Sequence, residues 1–336
     1  MSARHCESGH ARRRRRDGGA APRQRQRGVA LLVAILLVAL GTIIAAAMAY
    51  DNAMTARRAA ASFDFDQALL TAQGAEALAA YGLQQSVSQN AQYIYPGQRW
   101  SQPLQPTEVM PGVMLQASME DLQGRFNIND LLEQDGNTPN QAAITAFQRL
   151  LTMVGLNAKW ADYLVDWIDK NSTPMFPDGA EDSVYMEMNP PYRTPNLPVT
   201  STSELMALPG FTRADFDKLA PYITALPLGV PINLCSASGV VLDALSGVVQ
   251  YSSNPGGFEK DREAAGGCFP TQAVFLSAIT NQTLRQPLQS LTAQTSAWFR
   301  LTSFVGEGST EFAVYSTMYL EPTHQVRVVM RSFTPN

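Results

Sequence analysis

Residues 25–50 read RQRGVALLVAILLVALGTIIAAAMAY, and the break at Gly28 governs how the rest of the chain is understood. From Val29 to Ala49 there are 21 residues without a charge, and Thr42 is the one clearly polar side chain among them. At ~1.5 Å per residue such a helix reaches roughly 32 Å, enough to cross a bilayer core of about 30 Å. Residues 1–28 carry nine arginines against Glu7 and Asp17, a charge of +7; with −4 for the whole chain, residues 29–336 hold −11. That asymmetry predicts a cytoplasmic arginine block and an acidic remainder on the other side of the membrane.

Three readings of the boundary compete. A secretory signal fits the basic start, and Ala47-Met48-Ala49 offers a small-x-small cleavage site, but the apolar run exceeds the usual core of about 7–15 residues. A plain signal anchor needs no glycine at the seam. The third is cleavage on the cytoplasmic side, between Gly28 and Val29, with the helix retained; a residue without a side chain lets a protease reach the backbone. The residues alone leave the last two open.

Helical character continues from Asp51 to Leu83, since Ala, Gln, Glu and Met dominate and no proline occurs before Pro96. Phe63, Leu70, Ala77 and Tyr81, with Leu69 and Leu78 close by, recur near helical spacing and predict an amphipathic continuation of the membrane helix. Gly74 and Gly82 weaken it by up to ~1 kcal/mol each where exposed. Pro96, Gly97, Pro103, Pro106, Pro111 and Gly112 read as a loop. VMLQAS from Val113 reads as a strand, and MEDLQGRFNINDLL as a turn and a second strand in which Phe126 and Ile128 alternate with polar neighbours.

Residues 140–226 read mostly as helices, with Ile144, Phe147 and Leu151, then Trp160, Leu164 and Trp167, at spacings of three and four. A further helix begins at Ser203, with Glu204 in its first turn. LPGFTRADFDKLAPYITALP predicts a helix, a tight turn at Gly210 and a second helix, and PINLCSASGVVLDALSG a short strand and a helix. Residues 297–333 predict an antiparallel meander of three strands, divided at Gly306–Gly308 and Glu321–His324. Phe299, Leu301 and Val305 share one face, as do Phe312, Val314 and Met318. The expected fold class is α+β: one sheet, including strands near 113–130, packed on the long helix, with an inserted all-α domain at 136–249.

The chemistry excludes most enzymes. His5 and His10 precede the apolar run, which leaves His324 alone in the chain beyond it; no nucleophile–histidine pair, phosphate loop or zinc spacing can be assembled. Leu208-Pro209-Gly210 resembles the turn of helix-hairpin-helix modules that bind DNA backbones. Arg213 and Lys218 are the only bases from 197 to 250, however, against Glu204, Asp215, Asp217 and Asp243, so the reading is of no nucleic-acid partner.

Two sites remain. Cys235 and Cys268 form an even pair in an oxidising compartment and enclose a glycine-rich segment with little means of ordering itself. A disulfide between them would stabilise the fold by ~3 kcal/mol; two buried free thiols are the alternative. The second is DWIDKNSTPMFPDGAEDSVY, where Asp166, Asp169, Asp178, Glu181 and Asp182 crowd a loop and Asn171 adds an amide oxygen. Hard oxygens in such number suit calcium, although the spacing is not that of an EF-hand. The competing reading is a solvated acidic loop in which Glu181 and Asp182 cap a helix.

The leader, the glycine and V-A-L-L-V-A-I-L-L resemble type IV pilins and pseudopilins, which a prepilin peptidase cuts after the glycine. D-L-Q-G-R-F-N-I-N-D-L-L, the D-W-x-D…G-A-E-D stretch and PPYRTPNLPVTSTSELMALPGF resemble the K-type minor pseudopilins of the type II secretion system. That resemblance implies a pseudopilin fold built from residues 84–135 and 250–336, a leader at 1–28, a helix at 29–83 and structural calcium at the acidic loop. It also implies partners: I-type and J-type minor pseudopilins, with the H-type as a further candidate, the inner-membrane assembly platform, prepilin peptidase and exported proteins. The implied location is the inner membrane, single-pass, with a periplasmic C-terminal domain. Ordinary members carry glutamate at the fifth position after the cleavage site, where this chain has Val33. The K-type lacks it, which marks a tip subunit: a carboxylate with no neighbouring amine to meet would be buried at high cost. The resemblance also differs at Asn171, where family members often have aspartate. A type IV pilus tip protein is the nearest rival.

Overall fold

The computed structural model describes residues 27–89, 92–247, 257–279, 282–307 and 310–334. The chain divides into two compact units, one ending at Ser62 and one running from Phe63. Helix α1, Arg27–Gln89, is 63 residues long, and its N-terminal part is apolar enough to cross a membrane. In the first unit the described residues are helix alone.

In the second unit, α1 meets the sheet through a face other than the bulky apolar stripe read from the sequence. Ala68, Ala72, Ala75, Leu83 and Val87 are buried, whereas Phe63, Leu70, Leu78 and Tyr81 stand 67, 67, 65 and 62% exposed. Alanines at spacings of three and four let the helix backbone come close to the strands, and this close fit places the bulky stripe on the outside. Glu76 lies on the packed face, where Ser316 donates to it at 2.6 Å and Arg331 grips both carboxylate oxygens at 2.7 Å.

The sheet orders its five strands Leu104–Met110, Val113–Asp121, Trp298–Glu307, Thr310–Leu320 and Val326–Ser332, each antiparallel to its neighbour. β1 (Leu104–Met110) and β2 (Val113–Asp121) come from one side of the sequence. β1 lies in the stretch read as a loop: Pro106 cannot donate to a ladder, but an edge strand needs no donor on its outer side. β2 alternates as expected, with Val113, Leu115, Ala117 and Met119 buried. The expected second strand is shorter and joins a different partner. Only Phe126–Asn127 (β3) is extended; it pairs in parallel with Ile223–Thr224 (β4), and Ile128–Leu131 winds into a 3₁₀ turn. Asn127 and Asn129 cause the change, because their buried amides bond carbonyls of Val199, Leu226 and Pro227 instead of a neighbouring strand of the sheet.

The helical layer contains α2 (Gln141–Met153), α3 (Trp160–Ile168), α4 (Asp182–Tyr185) and α5 (Arg213–Leu219). A 3₁₀ turn at Thr202–Ala207 replaces the helix expected at Ser203, and Ser201 with Glu204 forms its capping box. Gly210 makes its turn with φ +86, where a side chain would be strained. β5 (Ile232–Asn233) and α6 (Gly239–Ser246) follow. Three more helices, α7 (Gly257–Ala264), α8 (Gln272–Ala278) and α9 (Gln282–Leu291), lead to β6 (Thr292–Ala293), which pairs in parallel with β5. Phe258, Phe269, Phe275 and Leu288 enter the same apolar core as Phe147, Leu164 and Leu242, so that core draws on residues past 249. Part of the segment read as unable to order itself is α7, held because Arg262 donates to the carbonyls of Leu234 and Ala237. The chain then returns to the sheet through β7 (Trp298–Glu307), β8 (Thr310–Leu320) and β9 (Val326–Ser332), the three strands read from the sequence. Phe299, Leu301, Val305, Val314 and Met318 face α1 in one core with Trp100, whose ring meets Phe299 edge-on at 5.2 Å.

Candidate functional site

Gly28 is the second residue of α1, and a Cβ built there would meet nothing within 4 Å. Val29 and Val33 follow on the exposed apolar part of the helix. The residues expected to form the leader before Arg27, Cys6, His5 and His10 among them, lie outside the described residues. Cys235 and Cys268 are both buried and joined as a disulfide, with Cα atoms 4.5 Å apart.

The acidic stretch is built from the C-terminal end of α3. The apolar positions of α3, Trp160, Leu164 and Trp167 among them, face the helical core, and this burial brings Asp166 inside as well. α3 stops at Ile168, and Asp169 takes an extended conformation with its carboxylate accepting the backbone and side-chain amides of Asn171 at 3.1 and 2.8 Å. The loop then folds back, and both oxygens of Asp166 accept the Met175 N–H at 3.0 and 3.1 Å. Gly179 is the residue that lets the loop lie this close: a Cβ there would come within 2.2 Å of Asp166 Oδ2 and 2.3 Å of Met175 N.

Glu181 completes the group. Its side chain is only 4% exposed, and neither carboxylate oxygen has a hydrogen-bond partner. Burial, and then the nearby charges of Asp169 and Asp182, push its pKa up to about 7. Burial likewise raises Asp166 to about 7, with Glu181 and Asp169 adding repulsion, and Asp169 to about 6. Asp166 and Glu181 thus both feel the charge of Asp169, and Asp166 that of Glu181 as well. Tyr185 stands over them, its hydroxyl buried and without a partner, as is the indole N–H of Trp167, whose ring lies 5.2 Å from that of Tyr185.

The other expected ligands turn elsewhere. Asp182 accepts the amide and hydroxyl of Thr194 at 3.1 Å and pairs with Arg193 at 3.4 Å. Asp178 is exposed, and its backbone amide supports Asp162. Asn171 uses its amide oxygen on the Thr173 N–H at 2.7 Å. Sequence reasoning missed Asn196, which lies in the left-handed region with φ 51 and donates to the Asn171 carbonyl at 3.3 Å, while its own amide oxygen is buried and unpartnered. It lies 25 residues beyond Asn171, and no local spacing announces it.

Among the described residues no three His, Cys, Asp or Glu side chains form a closed metal cage. What is present is the buried Glu181 carboxylate, whose two oxygens lack donors, beside the buried and hydrogen-bonded carboxylates of Asp166 and Asp169, and such a grouping fits a hard cation. An ionised carboxylate buried without a partner costs several kcal/mol, and a divalent ion removes both the repulsion and the missing contacts. Asp166, Asp169 and Glu181 would supply charge to it, and Asn171 a neutral oxygen.

No comparable arrangement of nucleophile and base occurs among the described residues. His324 sits exposed in the β8–β9 turn with φ 63. At the glycine turn of the helical layer, Arg213 is held by Asp217 at 2.7 Å, which occupies one of the two cations a phosphate backbone would need.

Comparison with known proteins adds to this picture. Residues 124–228 match the family described as type II secretion system (T2SS), protein K. The type II secretion system protein K of Pseudomonas aeruginosa is 30% identical, over 92% of this chain and 93% of that protein. The protein of the same description from Pectobacterium carotovorum is 29% identical, over 93 and 97%. In fold, the chain resembles the solved GspK–GspI–GspJ complex of the enterotoxigenic Escherichia coli type 2 secretion system, with a TM-score of 0.70 at 21% identity, covering 83% of this chain and all of that one.

Proposed function

We infer the function of this chain from one premise: it belongs to the type II secretion system protein K family. It is a minor pseudopilin, and its work is assembly. The solved relative was captured with GspI and GspJ. In this chain, the observation that supports the same kind of partnership is the stripe of Phe63, Leu70, Leu78 and Tyr81, which leaves the sheet-packed alanine face free for its own core. A helix carrying two apolar faces, one filled and one bare, is suited to pack against helices of I-type and J-type subunits.

In this reading the chain is cut between Gly28 and Val29 on the cytoplasmic side and held in the inner membrane by residues 29–49, with the sheet and helical layer in the periplasm. The freed apolar helix then leaves lipid to join a bundle. Val33 in place of a carboxylate suits a subunit with no neighbour above it, and the bulk of the helical layer blocks further stacking, so the chain initiates and caps a short filament that serves export. Calcium would bind at Asp166, Asp169 and Glu181, joining the end of α3 to the start of α4 and fixing the loop between them.

Co-purification with I-type and J-type subunits tests the central point. Leu70→Glu with Leu78→Glu should abolish it while leaving the melting temperature of the chain within a few degrees of the parent, because both positions are solvent-facing. Unchanged recovery of partners would refute the reading. Mass spectrometry of the membrane-extracted chain should find Val29 at its N-terminus. Calorimetry should show saturable calcium uptake, lost in Glu181→Ala and retained in Asp178→Ala.

A further inference from the structure

β7 turns Trp298 and Arg300 away from α1, since Phe299 and Leu301 pack on the opposite face of the strand with that helix. On this far face of the sheet Arg300 lies opposite Thr317, and Thr317 opposite Met330. Two loops of the helical layer, 198–202 and 224–227, meet this row around a cavity of about 300 Å³. Buried asparagines fix both walls. Asn129 donates to the Val199 and Leu226 carbonyls at 2.9 and 2.7 Å and accepts the Val199 N–H at 2.9 Å, while Asn127 accepts the Leu226 N–H at 3.0 Å. Thr202, Thr224 and Thr317 line the cavity and are only 7, 3 and 9% exposed. Their hydroxyls have no hydrogen-bond partner among the described residues, yet none is sealed from solvent, so they open into the cavity. The indole N–H of Trp298, in the same lining, is likewise without a partner among the described residues.

We propose that this cavity binds one residue of an uncharged sugar, its apolar face on Trp298 and its hydroxyls on Thr202, Thr224 and Thr317. A sugar ring has a flat C–H face and a rim of hydroxyls that both donate and accept. Tryptophan offers a flat apolar surface with one polar edge, and a threonine hydroxyl donates and accepts in the same way. At about 300 Å³ the cavity is at the small end of ligand sites, which suits a single ring. The lining holds no carboxylate, and its one base, Arg300, is engaged by Glu120 at 3.6 Å, so the polar groups left over are neutral. A peptide strand fits less well. It binds through a ladder of backbone groups, and those of the walls are already used: Val199 and Leu226 by the asparagines, and the Thr200 and Ser201 N–H groups by Glu204.

The test is saturation-transfer NMR on the full chain in phospholipid nanodiscs, with maltotriose and chitotriose as probes, trialanine as the peptide control and empty discs as the blank. The ring protons of at least one trisaccharide should receive saturation beyond the blank, and titration should give a saturable affinity. Thr202→Val with Thr224→Val should weaken that affinity about tenfold, as expected for two lost hydrogen bonds. The same pair should melt at or above the parent temperature, because a buried hydroxyl without a partner gives the fold nothing. Trp298→Leu should abolish the signal. No transfer to either sugar, unchanged affinity in the valine pair, or displacement of the sugar by trialanine would overturn the proposal. So would a lower melting temperature in the valine pair, which would assign those hydroxyls to the fold instead.

Discussion

Asp130 shows how one buried carboxyl can set a pH response. It accepts the Gly229 N–H at 2.7 Å, yet burial raises its pKa from the ordinary 3.8 to about 7. Between those values the folded chain retains a proton that the unfolded chain has released. Its contribution to stability is therefore greatest below about pH 4 and declines as pH climbs to about 7. Asp130→Asn, whose amide oxygen can still accept from Gly229, should flatten the melting temperature across that window. Gly179 gives a steric counterpart. Gly179→Ala should lower stability by about 1–3 kcal/mol through overpacking against Asp166 and Met175, measured by denaturant titration. Both residues were in plain view in the sequence, Asp130 within D-L-Q-G-R-F-N-I-N-D and Gly179 within the acidic loop. Their strained surroundings were not visible, because the atoms that crowd them come from segments far along the chain or folded back upon it.

At the scale of elements, α1 is held to the sheet by Glu76 and Arg331 as well as by its alanines. Glu76 is almost fully buried, and the Arg331 guanidinium, its pKa raised chiefly by that carboxylate, is partly open to solvent. Arg331→Met should destabilise the chain by roughly 2–4 kcal/mol, since it leaves a buried carboxylate with Ser316 alone, and Glu76→Gln should restore much of the loss. The sheet ends in two blunted edges. β1 has Pro106 and register shifts, and β9 has a bulge opposite Thr317 and Met318 with Arg327 and Arg331 along it. Such edges discourage strand-to-strand addition, which leaves the exposed helix stripe as the better surface for assembly. The apolar residues of that stripe were legible as a periodic pattern, but the side they face was not. Periodicity marks apolar positions, and the choice of buried face belongs to the close fit that alanine permits.

In the whole molecule the disulfide acts where the helical layer returns toward the sheet. Cys235 and Cys268 enclose a separation of 33 residues, and both lie next to Gln294, just before β7. Replacing both by alanine should cost about 2–4 kcal/mol in reversible unfolding. The Asp121–Asn233–Ser296 network crosses the same junction, with Asn233 also donating to Ile94 after the long helix. A sheet whose strands are split between residues 104–121 and 298–332 needs such links, because the helices α2 to α9 and two short strand pairs come between them.

The sequence by itself determined the membrane-length helix, the three-strand meander and the helical middle, since each rests on local composition or a short period. Only the tertiary structure decided which side of α1 is buried, that Pro106 sits in a strand, that Phe126–Asn127 leaves the sheet, and that Glu181 rather than Asp178 joins Asp166 and Asp169. Those outcomes depend on close approach and on desolvation by distant residues, and neither quantity is carried by neighbours in the chain.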